Sequence, residues 1–326
     1  MVQSPDHPLL AANIIELHYW FDDETHTIDA LVQNRCESEL LALFREIASP
    51  LNAPMSIETF PLAKGGVRRS FKVIPRKDTV RGNLRAAFVS ALASEILVTP
   101  LSAPVIPAVE KVAERFFGEA GPDAIKTKKL LREIEKLRED ILKVKDRLSK
   151  STVIKKRKSN FYDMLNRYRK VCRISFSVED SRRNKLLDEA VASRQDFSSF
   201  VLVSDNLDPV KDDKAEIEII SPVLKQANYR WVGLYKGSPV SFSMKCGAFS
   251  ELVRSGEVQF RNGTIIRCLL QIRKKIDSEG LEKIMGYDVL EVYEYYESGK
   301  PGVAVIKKPK VEENPGIEQL SLFELF

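Results

Sequence analysis

YRWVGLYKGSPVSFSM, residues 229–244, reads as two short β-strands around a turn at Gly237-Ser238. Aromatic and β-branched side chains crowd both halves, and the Gly-Ser-Pro break lets the chain reverse. The same pattern continues on either side. EIEIISPVL (216–224) precedes it, and VQF (258–260), TIIRCLLQIRKKI (264–276) and GYDVLEVYEYY (286–296) follow, with turns at Asn262-Gly263 and Glu279-Gly280. A single helical stretch, GAFSELVRSGE (247–257), is inserted among them. Short strands packed this closely predict a small closed or half-closed β-barrel over 215–298.

The rest of the chain is mixed, so the expected fold class is α+β. NIIELHYWF (13–21) places Ile15, Leu17, Tyr19 and Phe21 on one face, as a half-buried strand requires. A helix follows, capped by Asp22 or Asp23, with apolar positions from Ile28 to Ile47 recurring at three and four residues. MSIETFPLAKGGVRRSFKVI (55–74) then forms two strands about a Gly65-Gly66 turn, completing a βαββ unit over 1–82. Residues 83–120 hold an apolar helix and a Pro-rich connector. Glu95 and the breakers Pro100, Pro104 and Pro107 argue against a membrane span and for a buried or self-associating helix.

Residues 121–150 carry Leu130, Ile134, Leu137, Ile141, Val144 and Leu148, spaced alternately by four and three. That heptad seam predicts a coiled coil pairing two copies; a surface helix packed on its own domain is the competing reading. The segment 151–214 opens on a basic run and ends in an acidic loop, SDNLDPVKDDKAE. Lys155, Lys156, Arg157, Lys158, Arg167, Arg169 and Lys170, interleaved with Phe161, Tyr162 and Tyr168, make a candidate nucleic-acid surface, because cations neutralise phosphates and aromatics stack on bases. Arg261, Arg267, Arg273, Lys274 and Lys275 could add a second basic surface on the barrel.

The chain has 326 residues, 44% hydrophobic and 30% charged, with net charge +5: an ordinary globular composition for two or three domains. Four scattered cysteines and the lack of a signal peptide predict a reducing cytoplasm. His18, Asp22, Asp23 and His26 lie close enough in sequence to be weak candidates for a metal or acid–base site, although helix caps use the same residues. Lys64, Gly65, Gly66, Arg68 and Arg69 resemble an anion cradle no more than they resemble a hairpin turn. There is no Walker loop, no GxGxxG and no Gly-x-Ser-x-Gly elbow, so no enzyme class, metal or cofactor is assigned.

Residues 299–326 are a Pro-, Gly-, Lys- and Glu-rich linker ending in a terminal peptide. Gln319-Leu320-Ser321-Leu322-Phe323 resembles the peptide by which bacterial replication and repair proteins bind the DNA sliding clamp. The resemblance implies that Gln319 makes the edge contact, that Leu320 is a secondary anchor, and that Leu322 and Phe323 fill the clamp's apolar pocket. Packing of LSLFELF onto the chain's own barrel is the alternative. The stretches IELHYWFDDETHTIDALV and EIISPVL…YRWVGLYKGSPVSFSM resemble uncharacterised bacterial proteins associated with mobile elements and phage defence. The expectation is therefore a non-enzymatic oligomeric protein recruited to the clamp, in contact with DNA or RNA. The alternatives are an oligomeric scaffold with a self-docked tail and a metal-dependent hydrolase or nuclease.

Overall fold

A computed structural model describes residues 12–23, 27–61, 67–118, 128–224, 229–297 and 301–305. The chain is mixed α+β, with two sheets in two compact units. The first unit contains residues up to Asp205 together with Ile276–Glu282, and the second contains Asn206–Lys275 and the chain from Lys283 onward.

In the first unit β1 (Ile14–Phe21), α1 (Ala30–Ala48), β2 (Met55–Thr59) and β3 (Val67–Pro75) follow in chain order. They do not close as a module. After four helices, β4 (Val171–Glu179) and β5 (Ala190–Ser193) complete an antiparallel sheet of order β2-β3-β1-β4-β5. Segments expected as separate domains between 1 and 205 thus share one core, because β1 at the centre needs both β3 and β4 as partners. Ile15, Leu17 and Tyr19 are buried on the helix-covered face as expected. The cap of α1 is Asp29, whose Oδ1 accepts from the Leu31 and Val32 amides at 2.8 and 3.1 Å; Asp22 and Asp23 lie too far upstream.

α2 (Val80–Val98) runs through the core, buried on every side from Ala86 to Ser94, a stretch that includes Phe88 and Leu92, with Leu84 and Ile96 buried on either side of it. Among the described residues no helix is long and apolar enough to cross a membrane. The Pro-rich connector is shorter than expected, because α3 (Val105–Gly118) begins within it. Pro107 sits in its first turn, where backbone N–H groups have no helical partner to lose. α4 (Lys128–Lys150) carries the heptad seam, and the chain covers that seam itself. Ile134, Leu137, Ile141 and Leu148 are buried in the first unit's core, with Val144 packed against it; the Leu130 side chain lies outside the described residues. Asp140 fastens α4 to α2 by accepting from Arg81 and Arg85 at 2.8 and 2.7 Å. Burial works to raise its carboxyl, but these two donors outweigh it and hold it below the usual range. α5 (Thr152–Arg167) and a 3-10 turn at Arg194–Phe200 complete the unit.

The second unit is the barrel. β6 (Asn206–Ser221) starts well before the expected strand, so the acidic 205–213 stretch is the bulged first half of a long strand and not a loop. It is followed by β7 (Trp231–Tyr235), β8 (Ser238–Met244), α6 (Gly247–Arg254), β9 (Thr264–Ile276) and β10 (Glu282–Glu297), while VQF forms no strand. The β7–β8 reversal works because Lys236 and Gly237 both take positive φ (50° and 75°), the twist a tight hairpin needs. The sheet order is β10-β8-β7-β6-β9, and a β9–β10 pairing closes it; β11 (Val303–Ala304) is added at β10. β8 and β10 run parallel, whereas β6–β7, β7–β8, β6–β9 and β10–β11 are antiparallel. Five strands in this order, with one helix between the third and fourth, have the topology of an oligonucleotide/oligosaccharide-binding (OB) barrel. Phe249 of α6 is fully buried and lies 6.1 Å from the Trp231 ring, so the helix fills the barrel from one end.

Candidate nucleic-acid interface

On β7 and β8 the side chains of Trp231, Val240 and Phe242 point into the barrel core, so those of Val232, Ser241 and Ser243 point outward. β10 joins this face through the Asp288–Ser243 pairing, and Ile284, Gly286 and Asp288 alternate along it. Two arginines converge there, Arg230 from the chain just before β7 and Arg273 from β9. A Cβ built on Gly286 would stand 2.8 Å from Arg273 Nη2 and 3.0 Å from Arg230 Nη2. Gly286 therefore leaves room for two guanidiniums to lie over the strand. Arg273 is oriented by Asp288, Nε to Oδ2 at 2.7 Å, and Arg230 donates to the Ser241 carbonyl at 2.9 Å. Each fork is thereby fixed through one nitrogen, and among the described residues no other carboxylate engages either guanidinium. Tyr229, beside Arg230, is 71% exposed, and Ile284 is 52% exposed.

The barrel's other side differs. A pocket of about 400 Å3 there is lined by both signs of charge, Asp212, Glu216 and Glu218 with Lys214 and Lys236, beside Tyr235. Tyr235 Oη donates to Asp212 at 2.6 Å, and that bond, with the nearby Lys236, holds the Asp212 carboxyl below its usual range. Arg267 is engaged by Glu216 and Glu294 at 2.9 and 2.6 Å, and Arg261 by Glu297 at 3.6 Å. Of the barrel cations expected to form a surface, Arg273 lies on the β7–β8–β10 face, while Arg261 and Arg267 are engaged by carboxylates. Sequence reasoning passed over Arg230, Gly286 and Asp288; a lone glycine within a strand pattern was the signal, because it marks a close approach.

The basic run of α5 has a different fate. Lys158 is 3% exposed, donates to the Ile96 carbonyl at 2.6 Å and lies 4.8 Å from the Phe200 ring centroid. Burial pushes its ammonium down to about 7. Lys156 pairs with Asp205 (2.6 Å), Arg157 with Glu39 (3.2 Å), Arg167 with Asp163 (2.8 Å) and Lys170 with Asp23 (3.2 Å). Lys155 is half-buried and Arg169 exposed. Phe161 and Tyr162, read as stacking surfaces, are fully buried, and Tyr162 Oη donates to the Leu97 carbonyl at 2.8 Å. A buried ring cannot stack on a base, so the mixed cation–aromatic platform expected here is not assembled on α5.

His18 lies against Trp20, ring centroids 4.0 Å apart, and is pushed down to about 4 by burial and then by the Arg68 charge. Asp22 is exposed, Asp23 faces Lys170, and His26 lies outside the described residues. Among the described residues no group of three or more His, Cys, Asp or Glu could hold a metal ion. Arg68 and Arg69 pair with Glu16 and Glu37, while Lys64, Gly65 and Gly66 lie outside the described residues. The clamp-like residues Gln319, Leu320, Leu322 and Phe323 lie outside them as well. No family model, curated protein or solved structure matches this chain.

Proposed function

We propose that this is a single-stranded nucleic-acid-binding protein recruited to the bacterial DNA sliding clamp. The barrel's outward β7–β8–β10 face takes the nucleic acid, and the Gln319–Phe323 peptide engages the clamp. The observation that carries the first half is the convergence of Arg230 and Arg273 over Gly286. Two preoriented guanidiniums supply phosphate contact on the face that OB barrels use for oligonucleotides, and Tyr229, exposed and next to Arg230 in sequence, is the ring assigned to stacking. The second half rests on the peptide pattern, with Leu322 and Phe323 as anchors and the 299–318 linker giving reach. A place in phage defence or replication-linked repair fits both halves. Binding and recruitment are the activity assigned, and the reading includes no catalytic step.

The test uses the full chain, a labelled single-stranded oligonucleotide and purified clamp. Replacing both arginines (Arg230→Ala with Arg273→Ala) is expected to weaken oligonucleotide binding about 10- to 100-fold. The log-log salt slope should fall by about 1.4, as for two lost phosphate contacts on a single strand. Leu322→Ala with Phe323→Ala should abolish clamp binding and leave the oligonucleotide affinity alone. If the arginine pair leaves affinity and salt slope intact, the barrel face is not the interface. If the wild-type chain does not bind the clamp, the tail reading is wrong.

A further inference from the structure

The surface of the helical hairpin α3–α4 supports a separate inference, independent of the barrel and of the tail. A groove of about 440 Å3 runs between these helices. Its floor is apolar: Val109 and Ile141 are buried beneath it, and Ala113 lines it. Its rims carry opposite charge. Glu110 and Glu114 stand on α3, one turn apart, and Arg138 and Lys145 stand on α4, two turns apart. Leu142 projects between the two cations and is 55% exposed, although it lies at the mouth of an apolar cleft. Within the chain the rims meet only weakly: Lys145 reaches Glu110 at 3.8 Å, and among the described residues no ion pair engages Glu114 or Arg138.

We infer that this groove is the contact surface of a homodimer, occupied by the same hairpin of a second copy. The argument is one of self-complementarity. A two-fold axis through the groove lays α3 of each copy over α4 of the other, so Glu110 and Glu114 face Arg138 and Lys145 twice over. Such an isologous contact needs one patch that fits itself. A hairpin with one acidic and one basic rim meets that condition, whereas a face of a single sign would repel its own copy. Leu142 is both the apolar group on display and one that a cleft floored by Val109, Ala113 and Ile141 accepts. Each copy would therefore insert its Leu142 into the other's groove, with the charged rims setting the register. The heptad seam beneath is already buried within the chain, so this pairing uses the flank of α4 and not its seam.

The experiment is sedimentation and light scattering of the full-length protein across micromolar concentrations, without nucleic acid or clamp. The wild-type chain is expected to be a dimer whose Tm rises with protein concentration, and Leu142→Glu a monomer of unchanged helicity whose Tm does not, because the residue is exposed. Arg138→Glu should weaken the dimer at least tenfold, and adding Glu114→Arg to it should restore most of the loss. A monomeric wild type overturns the inference. So does a Leu142→Glu chain that still dimerises, or a double reversal that fails to recover what the single reversal lost. A monomeric wild type whose Tm falls with Leu142→Glu would also overturn it, since the groove would then be covered by the chain itself.

Discussion

The two cationic regions of this protein make an instructive pair. α5 and the residues after it hold the densest positive charge in the sequence, yet carboxylates, a helix end and the core take up most of it. The barrel face has two arginines, far apart in sequence, and both are held with N–H groups directed outward over Gly286. Charge density along a chain therefore says little about charge available to a ligand. What matters is whether the fold supplies each cation with a partner of its own.

Four measurements would break or sharpen this contrast. The largest effect is expected at Phe161, which is fully buried beside Phe176 and Tyr162. Phe161→Ala should cost about 3–5 kcal/mol of stability in chemical denaturation, by cavity formation, while the folded fraction keeps its oligonucleotide affinity. A loss of affinity at unchanged stability would return α5 to the interface.

Lys158 comes next, through pH. Its folded value of about 7 lies below the usual 10.5, so between those pH values the unfolded chain holds a proton that the folded chain lacks. Stability from this group is complete above about pH 10.5 and is lost as pH falls toward 7, by at most about 1.4 kcal/mol per pH unit. Lys158→Met should flatten that part of the pH–stability curve relative to wild type. Identical curves would mean that the ammonium is solvated and free for a ligand.

A smaller effect is expected from Gly286→Ala. The added methyl would displace two flexible guanidinium ends and no backbone, so the fold should survive and affinity should fall a few-fold, about 0.5–1 kcal/mol. An unchanged affinity would show that the exact seating of the arginines is unimportant. The smallest effect belongs to Lys156→Gln, which removes the pair with Asp205. Partly exposed pairs contribute about 0–1 kcal/mol, and affinity should not change. A loss of binding comparable with that of the arginine pair would reverse the comparison.

Much of the architecture was legible in local patterns. Alternation identified the buried face of β1, the long apolar run within α2 marked a buried helix, and turn chemistry located the β7–β8 hairpin. The seam on α4 was visible from its spacing, but its partner was not, since a stripe of Leu and Ile is equally satisfied by a second chain or by α2 and α3. Asp22 and Asp23 were plausible caps, but Asp29 stands where the helix begins.

By itself the sequence determined which side chains must leave water and where the chain can turn, because burial and turn preference act over a few residues. Only the tertiary structure decided what covers each apolar stripe, which cations find carboxylates, and that Arg230 and Arg273 meet over Gly286. Those outcomes depend on pairings between distant segments, above all the parallel β8–β10 contact that brings Asp288 beside Ser243. Side-chain type alone does not encode such a pairing, because it arises from barrel closure, a property of all five strands together.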